Sequence, residues 1–224
     1  MSHSDIPEFL LKSMIKHALE EDLGGVGDLT SRAVIPDGIT YSAKLNARDM
    51  GVLSGMQIAE IAFLMIDKKI EIETCLKDGS YVKPNDTCMI IKGDAKSILM
   101  AERVALNFAG RLSGIATMTS AFVAETKGTK AKISCTRKTT PGLRLVEKEA
   151  VRHGGGSSHR FGLNDAIMIK DNHIAAAGSI QKVLERIETK FVPQLIQIYS
   201  SSTRTEDKMN TLLEVEDENL IPTI

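Results

Sequence analysis

The sequence predicts a mixed α/β chain in two parts: an α+β layer domain, then a parallel α/β sheet. Three observations carry that expectation. Up to about residue 95, helical stripes and short alternating strands are separated by Gly, Pro and Asn turns. From Ala131 onward, candidate strands and helices alternate at crossover spacing. Cationic residues then fall where those later strands end, the edge at which α/β sheets place their chemistry.

The first helix is predicted from Asp5, which can cap it, with Glu8 at capping-box spacing and Pro7 in the first turn. Phe9, Leu10, Met14, Ile15, Ala18, Leu19 and Leu23 form its apolar stripe, and Gly24-Gly25 stops it. Ala43, Leu45 and Ala47 alternate with Lys44, Asn46 and Arg48, the signature of a half-buried strand. Gln57 to Ile66 reads as a helix. Ile70 to Cys75 and Thr87 to Lys92 read as strands, with turns around Gly79 and Pro84-Asn85. Lys96 to Glu125 is helical in pattern, with a break expected at Ser113-Gly114. Beyond it come a strand at Ala131–Thr136, a helix at Leu143–His153 and a strand at Ala166–Lys170. A helix capped by Ser179 and running to about Lys190, then a strand at Leu195–Tyr199, complete the series.

Between Lys130 and His173 there are nine Lys or Arg against four Asp or Glu, although the whole chain carries a formal charge of −1. Such a local cationic concentration suits a compact, multiply charged anion, where a solvated charged surface is the plain alternative. Arg137 and Lys138 directly follow one predicted strand and Lys170 ends the next, which favours an anion site. Thr139-Thr140-Pro141-Gly142 forms a turn before a helix, where backbone N–H groups favour anions. Gly154-Gly155-Gly156 permits a tight bend and close approach to a ligand. His159-Arg160 offers a titratable donor and a planar fork for a carboxylate. His153 and His173 have no spacing argument and read as structural or surface residues.

Composition narrows the classes. Cys75, Cys88 and Cys135 are scattered, without CxxC or zinc spacing, which points to a reducing, cytoplasmic setting. No apolar run is long enough to span a bilayer, and the chain opens without a signal-peptide pattern. There is no Trp and few aromatics, so a base-stacking nucleic-acid platform is not expected.

The stretch TRKTTPGLRLVEKEAVRHGGGSSHRFGLNDAIMIKDNHI, Thr136 to Ile174, resembles the central block of the quinolinate phosphoribosyltransferase family. EDLGGVGDLTS (Glu21–Ser31) and AERVALNFAGRLSGIATMT (Ala101–Thr119) resemble two of its upstream motifs, so the likeness covers roughly residues 5–190. The resemblance implies an N-terminal α/β sandwich over 1–112, with a helical dimerisation region, and a TIM-like α/β barrel over 113–224. It implies phosphoribosyl transfer from phosphoribosyl pyrophosphate to quinolinate with decarboxylation, giving nicotinate mononucleotide for NAD biosynthesis. Magnesium accompanies the phosphoribosyl donor, and a homodimer or larger homo-oligomer completes each site.

Carried over by motif, Arg137, His159 and Arg160 hold the quinolinate carboxylates, and Thr136 is a further substrate-binding residue; Lys138 and Lys170 line the site as its catalytic cations and contact anionic substrate groups; Arg103 reaches into the other subunit's site. Family chains continue for several tens of residues, so the barrel is expected to be incomplete and the chain a truncated or variant form. The family's acidic strand has no clear counterpart after Leu195–Tyr199; the EVE string at Glu214–Glu216 is either that strand shifted by an insertion or an acidic tail, and the tail is the favoured reading. Two alternatives stay open: a noncatalytic carboxylate-binding remnant or dimer partner, and a phosphoribosyltransferase for another heteroaromatic acid.

Overall fold

The computed structural model describes residues 6–191 and 213–215. Contacts divide the chain into two compact units, one up to His159 and one from Arg160.

In the first unit, helix α1 (Glu8–Leu23) begins after Pro7, which occupies the N-cap position without a side-chain cap, not the first turn. The capping residue expected there, Asp5, lies outside the described residues. Gly24, at φ 55°, ends the helix as predicted. Its buried face is Leu11-Ile15-Leu19, spaced one turn apart, whereas Phe9 and Leu10 point outward at 73% and 46% exposure. The predicted stripe was therefore rotated at its start. Helix α2 (Leu29–Val34) follows, capped by Asp28, which accepts the Ser31 N–H at 3.0 Å. Those hydrogen bonds from Ser31 hold the Asp28 carboxyl below its usual pKa.

Strands β1 (Thr40–Asn46), β3 (Glu71–Thr74) and β5 (Thr87–Asp94) form an antiparallel sheet in the order β1-β5-β3. Ala43, Leu45 and Ala47 turn toward the core, as the alternation predicts. Asn85, at φ 74°, makes the turn before β5. A second, two-stranded pairing of β2 (Gly51–Val52) with β4 (Tyr81–Val82) is too short to show in a periodicity. Helix α3 (Met56–Ile66) and the long helix α4 (Ala95–Glu125) enclose the core with β5. Met56, Ala59, Ala62, Cys88, Met89, Ala101, Ala105 and Leu112 are almost wholly buried there.

The break expected in α4 at Ser113-Gly114 does not occur. Ser113 Oγ accepts the Ser54 N–H at 2.9 Å and donates to the Ser54 carbonyl at 3.1 Å, fastening the helix where glycine weakens it. A propensity cost of about 1 kcal/mol for Gly114 is smaller than the packing of a helix with ten buried residues.

Residues 131–136 do not form a regular strand. They run beside residues 157–159 through a single parallel bridge, Ser134 to Ser157. Helix α5 (Arg144–His153) follows the predicted bounds closely and packs on α4.

The second unit contains β6 (Ile167–Ile169), the short helices α6 (Asp171–Ala177) and α7 (Ile180–Arg186), a π-helical turn (Ile187–Phe191) and β7 (Leu213–Val215). Ser179 caps α7 as predicted, accepting the Lys182 N–H at 3.3 Å. The strand expected at Leu195–Tyr199 lies outside the described residues. The tail reading of Glu214–Glu216 is overturned at Glu214: β7 pairs in parallel with β6, with Ile167 opposite Leu213, Met168 opposite Glu214 and Ile169 opposite Val215. Acidic neighbours dilute the apolar signal of so short a strand, and its partner lies over forty residues away in sequence, so no local pattern announces it.

Candidate active site

The cationic segment is built from both sides. Residues 133–135 are tied to Ser157: Ser157 N–H donates to the Ile133 carbonyl at 2.8 Å, and Cys135 N–H to the Ser157 carbonyl at 3.1 Å. The chain then turns sharply, with Lys138 N–H donating to Thr136 Oγ1 at 3.0 Å and Thr139 N–H to the Arg137 carbonyl at 3.0 Å. Arg137 and His159 thereby sit on two adjoining segments of the same unit.

Arg137 Nε is buried, and no described residue accepts its hydrogen. A guanidinium N–H withdrawn from water without an acceptor is costly unless a ligand supplies one. Lys138 is exposed and enters no ion pair among the described residues. Thr136 is exposed and His159 partly buried. Arg103 lies exposed on α4.

The Thr139–Gly142 turn forms as expected, with Gly142 at φ 81°. Its anion is internal, however. Glu147, on the first turn of α5, accepts the Thr140 N–H at 3.0 Å. The same carboxylate accepts from Arg111 Nε at 3.0 Å and Arg111 Nη2 at 2.6 Å, and Arg111 also donates to Thr140 Oγ1. Burial alone pushes the Glu147 carboxyl up, but Arg111 and Thr140 outweigh it and hold the pKa below the ordinary 4.5. Sequence reasoning missed this residue. The available signal was that Glu147 falls on the apolar stripe Leu143-Val146-Ala150.

Breaking a buried ion pair typically costs about 3–5 kcal/mol, and the 47% exposure of the Arg111 side chain lowers that here. Glu147→Gln is expected to destabilise the chain by about 2 kcal/mol at pH 7, read as a urea midpoint shift. Because the folded-state pKa is depressed, the contribution is complete above 4.5 and disappears as pH falls through the folded value. The gap between wild type and variant should therefore close on acidification; a gap independent of pH would contradict the assignment.

The glycine triplet serves packing. Gly155 has φ 87° and makes the bend. A Cβ on Gly154 would overlap the Ala116 carbonyl oxygen and come within 2.7 Å of Thr119 Cβ, both on α4. A Cβ on Gly156 would meet Val151 at 2.7 Å and Thr119 at 2.9 Å. The close approach predicted for a ligand is made by helix α4.

His153 is structural. Its Nδ1 is 2.8 Å from Ser54 Oγ and its Nε2 is 3.6 Å from Glu149 Oε1. The arrangement superficially resembles a hydrolytic triad, but Ser54 is only 1% exposed and so unsuited to meet a substrate. Asp78 lies nearby; burial raises its pKa, opposed by the Met56 N–H and by His153.

In the second unit, Arg160 Nη1 donates to the Ala166 carbonyl at 3.2 Å, while its Nε is buried with no acceptor among the described residues. Asp165 shapes the loop after it, accepting N–H groups from Phe161 at 2.5 Å and Gly162 at 3.0 Å. Lys170 is exposed at the N-cap of α6, directly after β6, and its backbone N–H donates to His173 Nδ1 at 2.9 Å. His173 thus caps a helix, in keeping with a structural role.

A cavity of about 300 Å³ lies between α1 and α4, lined by Glu21, Asp22, Asn107, Phe108 and Arg111 among others. None of the predicted site residues lines it. Among the described residues no helix is long and apolar enough to cross a membrane.

Fold and site together define a mixed α/β protein in which the Nε atoms of Arg137 and Arg160 are buried without an acceptor among the described residues. Residues 28–113 match the family "Quinolinate phosphoribosyl transferase, N-terminal domain" and residues 115–221 its C-terminal domain. "Quinolinate phosphoribosyltransferase [decarboxylating] 1b" of Nicotiana tabacum is 42% identical over 209 residues, covering 93% of this chain and 59% of its own. The structure of NadC from Streptococcus pyogenes superposes with a TM-score of 0.79 at 42% identity, over 84% of this chain and 67% of that one. The nicotinate-nucleotide pyrophosphorylase of Francisella tularensis gives a TM-score of 0.80 at 36% identity, over 96% and 70%. The chain belongs to the quinolinate phosphoribosyltransferase family, and it spans about 59% of the length of the curated tobacco relative.

Proposed function

We propose that the chain transfers phosphoribosyl from phosphoribosyl pyrophosphate to quinolinate with decarboxylation, forming nicotinate mononucleotide, carbon dioxide and pyrophosphate in NAD biosynthesis. The observation that carries this reading is the buried, acceptor-less Arg137 Nε beside the exposed Lys138, in a chain of this family. A dicarboxylate supplies the missing acceptor, and a planar guanidinium fork matches it.

By the family's motif, Arg137, His159 and Arg160 hold the substrate carboxylates, with Thr136 among the substrate-binding residues. Lys138 and Lys170 are the cations that face developing negative charge. The pyridine nitrogen lone pair forms the new bond to the anomeric carbon as the bond to pyrophosphate breaks. Loss of carbon dioxide then leaves its electron pair on the ring carbon beside a cationic nitrogen, where a proton replaces it. No covalent nucleophile is needed, so the side chains chiefly position two anions and neutralise charge.

Magnesium belongs to this reading as the counterion of the phosphoribosyl donor. Such an ion would be held chiefly through the oxygens of the donor's phosphates and would offset charge on the departing pyrophosphate. Arg103, exposed on α4, fits a residue offered to a second subunit of a homodimer. The domain division at 112/113 and a cytoplasmic location belong to the same proposal.

A single-turnover assay with quinolinate, the phosphoribosyl donor and magnesium tests it. Nicotinate mononucleotide is the expected product. Quinolinate binding without product would replace the proposal with a carboxylate-binding remnant, and turnover only of another heteroaromatic acid would change the substrate.

A further inference from the structure

Helix α5 buries two consecutive charged residues, Glu147 at 7% and Lys148 at 5% exposure. Glu147 grips Thr140, just after the Thr136–Thr139 segment. Lys148 reaches the other end: its Nζ donates to Cys135 Sγ at 2.8 Å, immediately before Thr136. The same sulfur accepts the backbone N–H of His159 at 3.4 Å. One sulfur atom therefore joins helix α5, the approach to Arg137 and the segment carrying His159.

We propose that Cys135 and Lys148 are a positioning pair that sets Arg137 and His159 at the spacing a dicarboxylate requires; this rests on the substrate class proposed above. The need for such a pair follows from Arg137 itself. Its Nε has no acceptor among the described residues, so no described hydrogen bond at that atom aims the guanidinium. The backbone on either side therefore helps to set its direction. Thr140 fixes the later side through a carboxylate, and Cys135 fixes the earlier side through an ammonium. Because Lys148 is withdrawn from water, its contact with sulfur is shielded from solvent competition and is correspondingly directional. Neither residue is among those proposed to contact the substrate, so both are positioning residues. The other two cysteines, exposed Cys75 and buried Cys88, lie on the β3–β5 side of the unit and take no part.

The test compares Cys135→Ala, Lys148→Met, their double variant and Cys135→Asp in the full chain. Quinolinate titration calorimetry, turnover and amide hydrogen exchange over residues 133–140 are measured together. Each single variant is expected to weaken quinolinate binding about tenfold, with kcat changed less than about twofold and exchange over 133–140 accelerated. The double variant should be no worse than Cys135→Ala, because that substitution already removes the contact Lys148 makes. Cys135→Asp returns an acceptor to Lys148 and should recover most of the affinity. Unchanged binding in the single variants, beside a wild type that binds quinolinate, would overturn the pair and leave the function standing. A wild type that binds no quinolinate would remove the proposed function instead. Exchange then decides the anchor by itself: acceleration supports it and no change refutes it.

Discussion

Arg137→Ala is expected to reduce kcat/KM for quinolinate by at least about 100-fold, while the melting temperature stays the same or rises. The two halves of that result have one cause. Arg137 Nε is buried without an acceptor among the described residues, so in the free chain it carries a desolvation penalty that no contact at that atom offsets. Bound carboxylate supplies the acceptor, and a charge-assisted hydrogen bond is worth about 1.5–3 kcal/mol, with two of them in a forked contact. Truncation removes both the gain on binding and the penalty before it, the pattern of a residue kept for function at some cost to stability. Calorimetric titration and a thermal melt of the same variant separate this from a structural role. A fall of several degrees with affinity retained would mean that Arg137 holds the fold. Arg137→Lys should recover little, since a point charge cannot reproduce a planar fork.

The candidate site was legible in the sequence as a list but not as a construction. Thr136, Arg137, Lys138, His159 and Arg160 stand out because cations crowd a short window between recognisable helices. Nothing local shows that Glu147 occupies the anion position of the Thr139–Gly142 turn, because Arg111, which compensates it, lies thirty-six residues upstream. Lys148 illustrates the same limit. A lysine on an exposed helix face and a buried one reaching a sulfur read alike until the segment carrying Cys135 is placed beside the helix. Side chains that meet substrate are drawn from residue types with few other reasons to cluster. Those that aim them are ordinary residues whose meaning depends on distant partners.

The fold divides along the same line. Helices α3, α4 and α5 and strand β5 came close to their predicted bounds because each buries a periodic face, whereas β1 keeps the predicted alternation but starts three residues earlier, at Thr40. Failures fell where a non-local contact decides. Ser54 fastens α4 where it runs unbroken through Ser113-Gly114. Tyr81–Val82 makes a strand of Gly51–Val52, and Ile167–Ile169 makes one of Leu213–Val215. Residues 131–136, apolar enough to suggest a strand, carry one bridge because a strand is defined by its neighbour and not by its own composition.

Gly154→Ala is the corresponding test of the scaffold, and its expected effect is a loss of about 3 kcal/mol, or about 6–12 °C in melting temperature for a chain of this size. The residue sits where α5 ends against α4. Its missing side chain is what lets the two helices approach: a Cβ would press on the Ala116 carbonyl oxygen and on Thr119 Cβ at 2.7 Å. Those atoms belong to a helix backbone and to the root of a side chain, so neither can swing aside as a lysine tip would. Relief would require α5 to shift, and α5 carries the carboxylate that holds Thr140. The same methyl group on Gly110 provides the contrast, since nothing lies within 4 Å of that position on α4. There alanine should raise stability by about 0.5–1 kcal/mol through helix propensity alone. Opposite signs for one chemical change would establish that contact decides the effect at Gly154, and a mild effect at both positions would remove the packing argument. Because the shift of α5 passes through Glu147 to the turn beside Arg137, Gly154→Ala should also weaken quinolinate binding at temperatures well below its melting point. That loss would mark the glycine as part of the scaffold that holds the site in register.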